Sequence, residues 1–193
     1  MFTTKLSMEI DGIPTVSDAV AKRLPSGQTS KCDNKLEPLD DMFPLAIIAH
    51  KLGHDAVSYA FQKHTCDSRN ISDPYLKTMR RMMKYLIEKH QISFTSMAKK
   101  LLIDETANIC RSFVIIADKM FKDRQINWGR IVTLYAFVAS LVEYSVSHKI
   151  GENCEQKLGD LVSSYVADNL LDWIYQQGGW DAMVRYFAKE ESA

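Results

Sequence analysis

Two histidines, His50 and His54, stand four positions apart, which places both imidazoles on one side of a helix. That spacing could hold a metal ion, because imidazole nitrogens are common zinc ligands. A zinc-protease motif also needs a glutamate directly after the first histidine, and Lys51 stands there instead. The sequence also offers no repeated Glu-x-x-His of iron bundles, no serine elbow and no phosphate-binding glycine loop. We therefore expect no metal site, no cofactor and no enzymatic activity.

A second group of polar positions precedes the most apolar stretch of the chain: Asn127, Gly129 and Arg130. A guanidinium is always charged and can bind a carboxylate through two parallel hydrogen bonds. Arg130 therefore fits either an acidic ligand or an internal salt bridge at a helix start, where the helix dipole disfavours a cation. Asn127 fits a helix N-cap or a polar contact to a ligand. Gly129 permits close approach of another backbone, from a ligand or from the fold itself.

Charge and cysteine content narrow the class of protein. The 193 residues suit one domain, and 24 basic side chains balance 24 acidic ones. This balance argues against nucleic acid as a partner and gives no long-range attraction to anionic membranes. The longest apolar run, Ile131 to Val142, falls short of the ~20 residues that span a bilayer. We expect reduced thiols in an intracellular protein, because the cysteines stand singly: Cys32, Cys66, Cys110 and Cys154.

The apolar residues recur at helical spacing along most of the chain, and no run alternates like a strand. Residues 1–40 show no period and are expected to form a flexible segment before a helical domain at 41–190. The segment that follows Arg130 is apolar on nearly all sides, so other helices must surround it. Helices are predicted from near Met42 to Phe61, from Pro74, over Ser93 to Ile103, from a cap at Asp104 to about Lys122, after Trp128, and from Glu155 to about Leu171, with two short pieces following.

Two passages resemble the homology motifs of the Bcl-2 family. Asn127-Trp128-Gly129-Arg130-Ile131-Val132 is similar to the first motif, and Asp172-Trp173-Ile174 with Gln177-Gly178-Gly179-Trp180-Asp181 is similar to the second. Because both occur in the family's order within a helical chain, the chain is identified as a member of the family over about Met42 to Phe187. It most resembles the survival proteins of the myeloid-leukaemia and Bcl-xL type.

The resemblance implies an all-α bundle of about eight helices around a central hydrophobic helix, with a hydrophobic groove on its surface. The groove would bind the amphipathic homology-3 helices of pro-apoptotic relatives, both initiators and pore-forming effectors. Arg130 would pair with an aspartate of that helix, and Asn127 and Gly129 would contact it. The rings of Trp128, Trp173 and Trp180 are expected in the core. The resemblance implies further groove residues, each of which could equally be ordinary core: Val132, Phe137, Phe113, Ile116, Ala117, Met120, Met79, Met82 and Leu86.

The second predicted helix bears on whether the chain inhibits or promotes apoptosis. Pore-forming relatives carry their own homology-3 motif, in which a leucine is followed four and five positions later by a small residue and an aspartate. Aligned on Arg80-Arg81, this chain has Met79, Met83 and Lys84 at those positions. The required charge is thus reversed. We expect a survival protein that inhibits mitochondrial outer-membrane permeabilisation, with a pore-forming effector as the alternative.

The carboxyl end of the chain bears on location. Family members often end in an apolar anchor, whereas this chain ends at Ala193, soon after the second motif. As given, the chain is expected in the cytosol. If an anchor has been removed, we expect the protein at the mitochondrial outer membrane or the endoplasmic reticulum, and contact with membrane only through that tail.

Overall fold

A computed structural model describes residues 38–62, 71–103, 109–149 and 154–190 of the chain. Within these residues the chain forms helices and no strands, which confirms the all-α prediction. The proposed cap Asp104 and the side chains of the four cysteines lie outside what is described. The helices are α1 (Pro38–Gln62), α2 (Pro74–Lys89), α3 (Gln91–Ile103), α4 (Ile109–Phe121), α5 (Trp128–Ser147), α6 (Cys154–Asn169), α7 (Leu171–Gln176) and α8 (Gly179–Glu190).

Local capping explains where two of these helices begin. The Asp73 carboxylate accepts hydrogen bonds from the backbone N–H groups of Tyr75 and Leu76, at 2.8 and 3.2 Å, so α2 starts with Pro74 in its first turn as predicted. The Asn127 side chain accepts from the N–H of Arg130 at 2.9 Å and caps α5. Helix α1 begins at Pro38, earlier than the apolar period that starts near Met42, because proline fits a first helical turn without any apolar pattern.

Helix α5 is the centre of the bundle. It packs against α1, α2, α3, α4 and α6, and its residues from Leu134 to Val142 are buried. The expectation that no segment is long enough to span a bilayer was wrong: the 20 residues of α5 suffice by length and composition. However, 67% of the apolar window is buried inside the bundle, as in the core helix of a folded domain.

Three tryptophan rings pack together where the two motif regions meet. The Trp128 ring centroid lies 5.0 Å from that of Trp173 and 6.0 Å from that of Trp180. Trp180 is 1% exposed, and its indole N–H donates to the carbonyl of Leu45 at 3.0 Å. Trp128 is also buried, and Trp173 is half-buried against the same core. The prediction that these rings belong to the core is confirmed.

Candidate ligand-binding groove

Arg130 lies on the first turn of α5 and reaches back to the end of α4. Its Nη1 and Nη2 donate to Oδ1 and Oδ2 of Asp123, at 2.5 and 2.8 Å, in a two-pronged salt bridge. Nη1 also donates to the carbonyl oxygens of Met120 and Gln125, at 3.0 and 2.8 Å. The cation therefore sits at the carboxyl-terminal end of α4, where the helix dipole favours positive charge. The arginine side chain is still 32% exposed.

The salt bridge perturbs both partners electrostatically. Hydrogen bonds from the Arg130 guanidinium, and then from the N–H of Gln125, lower the pKa of Asp123 from its ordinary 3.8 to about 2. The same Asp123 carboxylate raises the pKa of Arg130. At neutral pH the pair is fully charged, so a second carboxylate approaching Arg130 must share the guanidinium with Asp123 or displace it.

Gly129 has few neighbouring atoms beside Arg130. For a Cβ built on Gly129, the described residues offer one close neighbour outside the adjoining backbone, Oδ1 of Asn127 at 3.3 Å. Packing within the described fold therefore does not require a glycine here. Asn127 is exposed, so its cap leaves the amide within reach of solvent. The capping role predicted for Asn127 is confirmed.

The nine apolar residues implied as groove lining divide into two groups. Those that are essentially inaccessible, at 0 to 1% exposure, are Met79, Phe113, Ala117, Val132 and Phe137. Those that are half-buried against the core are Met82, Leu86, Ile116 and Met120. The first group forms core in this conformation and can meet a ligand only if the surrounding helices move apart. The second group has surface available on α2 and α4.

Helix α2 is fixed to its neighbours along its length. Arg80 makes a two-pronged salt bridge with Asp55 of α1, with Nε to Oδ2 at 2.8 Å and Nη2 to Oδ1 at 2.7 Å. Both side chains are largely buried, at 13 and 10% exposure. Met79 and Met83 are fully buried, whereas Lys84 points to solvent beside Glu88. The helix therefore presents two of the three motif positions, Met79 and Met83, to the core rather than to a partner.

Helix α8 lies against the opposite side of α2. The Tyr75 hydroxyl donates to Asp181 at 2.9 Å, and Arg81 Nη2 donates to the backbone carbonyl of Phe187 at 3.3 Å. The carbonyl contact places α8 alongside α2. The hydrogen bond to Asp181, and then burial, raise the pKa of Tyr75.

A cavity of about 130 Å³ lies between α2, α3 and the second half of α5. Its wall includes Ile87, Phe94 and Ser140, and the Phe94 ring lies 6.2 Å from that of Phe137. The buried Ser140 hydroxyl has no hydrogen-bond partner among the described residues. None of the residues predicted for the site lines this cavity.

Sequence reasoning missed Asp123, the residue that engages Arg130. It lies seven positions before Arg130, and the loop between them turns back through Arg124 at a φ of 57°. A left-handed arginine carries no sequence signature of its own. The sequence signal that points to Asp123 is an acidic residue in the short connection before the motif that begins at Asn127.

Comparisons with known proteins agree with this architecture. The family model described as "Apoptosis regulator proteins, Bcl-2 family" matches residues 79–180. BAX from Bos taurus and Homo sapiens is 37% identical over 75 residues, which cover 39% of this chain and 38% of the BAX chain. Bcl-2-like protein 1 from Sus scrofa is 30% identical over 83 residues, or 43% of this chain and 35% of that protein. The chain thus spans well under half the length of these curated relatives.

Solved structures share the fold. The zebrafish pro-survival protein NRZ in complex with Bad BH3 superposes with a TM-score of 0.68 at 23% identity, over 78% of this chain and 99% of that one. NRZ without a ligand gives the same score at 22% identity, over 79% and 99% of the two chains. The family model covers more than half of the chain and includes the first motif and all but the last residue of the second. The chain belongs to the Bcl-2 family of apoptosis regulator proteins.

Proposed function

We propose that this protein inhibits apoptosis by holding the amphipathic homology-3 helices of pro-apoptotic relatives in a groove bordered by α2, α4, the start of α5 and α8. It would act inside the cell and raise the threshold for permeabilisation of the mitochondrial outer membrane. The observation that carries the proposal is a part-exposed guanidinium, Arg130, directly after a glycine, Gly129, that meets only the Asn127 side chain among the described atoms outside the adjoining backbone.

The chemistry of this corner complements an amphipathic helix. A ligand carboxylate would share or take over the guanidinium that Asp123 engages, and Gly129 would let the ligand backbone approach α5 closely. The half-buried apolar residues of α2 and α4, Met82, Leu86, Ile116 and Met120, would receive ligand side chains. Each ligand side chain so buried contributes roughly 1.5 to 3 kcal/mol. Methionine suits such a surface because its thioether adapts to different shapes.

The arrangement of α2 supports the survival class. A pore-forming relative must release its second helix, and here release would break the Arg80–Asp55 salt bridge and expose Met79 and Met83. Exposing each methionine would cost roughly 1.5 to 3 kcal/mol. Lys84, at the position that needs an aspartate, would then repel an arginine such as Arg130. The chain is better built to receive a homology-3 helix than to donate one.

The decisive experiment is calorimetric titration of a panel of homology-3 peptides against the protein and its Arg130→Glu variant. We expect nanomolar binding by the wild type and a loss of about 2 to 5 kcal/mol in the variant, which removes one member of a charge pair. Lys157→Glu, at an exposed position of α6, makes a matched charge reversal outside the proposed groove and should bind normally. Circular dichroism would confirm that both variants are folded. Binding no tighter than micromolar for every peptide would overturn the proposal.

The second candidate function is a pore-forming effector, favoured by the 37% identity to BAX over 75 residues and by the length of α5. Liposomes filled with dye separate the two functions. A survival protein should cause no dye release after an activating homology-3 peptide is added, and it should suppress release by an added effector. Release by this protein alone at nanomolar concentration would establish the effector function instead.

A further inference from the structure

Three potential metal ligands meet on the surface where α1 and α6 pack together. His50 and His54 project from successive turns of α1, and Asp160 comes from α6. The two Nε2 atoms are 3.2 Å apart, and Oδ1 of Asp160 lies 2.9 Å from Nε2 of His54 and 3.7 Å from Nε2 of His50. Their side chains are 44, 36 and 54% exposed, in the order His50, His54, Asp160.

Two glycines create this meeting point. A Cβ on Gly53 would overlap Oγ of Ser163 and lie 2.8 Å from the carbonyl oxygen of Gly159. A Cβ on Gly159 would itself lie 3.4 Å from Nδ1 of His54. The helices therefore approach as closely as backbone allows, and the residue after Gly159 is the aspartate that reaches the two rings. Asp160 stands 106 positions after His54, so residue spacing in the sequence does not reveal this third ligand.

The three atoms have the spacing of ligands around one ion. Zinc binds imidazole nitrogen and carboxylate oxygen at about 2.0 to 2.2 Å, so two ligands of a tetrahedral zinc lie about 3.3 Å apart. The three observed separations fall on both sides of that value. Two nitrogens that face each other at 3.2 Å can share at most one proton between them. A cation held between the nitrogens would satisfy both lone pairs at once.

We propose that His50, His54 and Asp160 form a binding site for a divalent transition-metal ion. Zinc is the ion we expect there, and solvent would supply its fourth ligand. Lys51, the cation next to His50 in sequence, forms a salt bridge with Asp73 at 2.5 Å, at the start of α2. Its charge is therefore directed away from the three ligands. A bound ion would join α1 to α6.

Zinc chloride titrated into the full chain tests the proposal, with binding followed by competition against a chromophoric chelator. We expect one zinc per chain, with affinity falling at least about tenfold in His54→Gln and in Asp160→Asn. His90→Gln is the matched control, because it removes an exposed histidine outside the cluster and should bind zinc as the wild type does. Zinc should also raise the melting temperature of the wild type and of His90→Gln, and leave His54→Gln unchanged, since only the native fold assembles the site.

Cobalt(II) in place of zinc identifies the ligands. Nitrogen and oxygen ligation gives visible bands without the near-ultraviolet charge transfer of a thiolate, and these bands should disappear in His50→Gln. Binding of equal strength in all variants, thiolate charge transfer, or no binding by the wild type would each overturn the site. The Asp160→Asn variant keeps the size of the side chain, so loss of binding in a folded Asp160→Asn protein cannot be attributed to unfolding.

Discussion

The Arg130 guanidinium joins two helices before any ligand arrives. Through Asp123 and the carbonyl oxygens of Met120 and Gln125, it ties the start of α5 to the end of α4. The internal salt bridge does not exclude the ligand-binding role that the resemblance implies, because the same guanidinium could bind Asp123 first and a ligand aspartate afterwards. In the proposed function, a ligand carboxylate would gain less from Arg130 than from an unengaged arginine, since the Asp123 interaction must be shared or replaced.

The depressed pKa of Asp123 predicts a specific pH response. Its folded-state pKa of about 2 lies below the ordinary 3.8, so the pair stabilises the native state above about pH 4 and loses that effect as pH falls toward 2. Carboxyl-carbon NMR titration should give Asp123 a midpoint near 2 in the wild type. In Arg130→Gln the midpoint should rise toward 3.8, because the largest cause of the shift is removed. A wild-type midpoint near 3.8 would show that the salt bridge does not persist in solution.

Helices and caps were predictable from the sequence because their signals are local. The apolar period located helices α1 to α6 to within a few residues, whereas α7 and α8 were expected only as two short pieces without stated bounds. Pro74 and Asn127 marked two helix starts correctly. Contacts between helices were not predictable. The burial of Val132 and Phe137, the Arg130–Asp123 pair and the approach of Asp160 to His54 all depend on how closely neighbouring helices pack. Periodicity carries no information about that distance.

The close packing of α1 against α6 depends on Gly53. A glycine inside a helix usually weakens it. At Gly53, however, the missing side chain lets α6 pack close to α1. Gly53→Ala should therefore destabilise the protein by about 1 to 3 kcal/mol, even though alanine is the better helix former, because backbone and Ser163 must shift. Urea unfolding measures the loss.

Gly129→Ala is the matched control for that prediction, because its new methyl would meet only the Asn127 side chain, at 3.3 Å, among the described atoms outside the adjoining backbone. We expect its free energy of unfolding to change by under about 0.5 kcal/mol. The same variant should bind homology-3 peptides more weakly if the ligand backbone lies over Gly129. Equal destabilisation by both alanines would contradict the packing described for α1 and α6.

At the scale of the whole molecule, the proposed function depends on whether α2 stays docked while the groove opens. The helix is held at one face by the Arg80–Asp55 pair and at the other by α8, through Tyr75 and Arg81. The buried residues Val132 and Phe137 become accessible only if α2, α3 or α4 moves outward from α5. A survival protein needs that movement to be small and reversible, whereas an effector needs α2 to leave altogether.

Removing the Asp55 charge should release α2 selectively. Asp55→Asn leaves a largely buried guanidinium without its carboxylate, a change that costs about 3 kcal/mol or more. Because the pair joins α2 to α1 and does not touch α6, hydrogen exchange should accelerate most at the amides from Thr78 to Ile87, while α6 keeps its protection. Glu88→Gln, which removes an exposed partner of Lys84 at 4.0 Å, should leave exchange unchanged.

Uniform acceleration across all helices in Asp55→Asn would mean that α2 cannot leave without global unfolding, which strengthens the survival function. Selective release accompanied by dye leakage from liposomes would show that this salt bridge alone separates the chain from an effector.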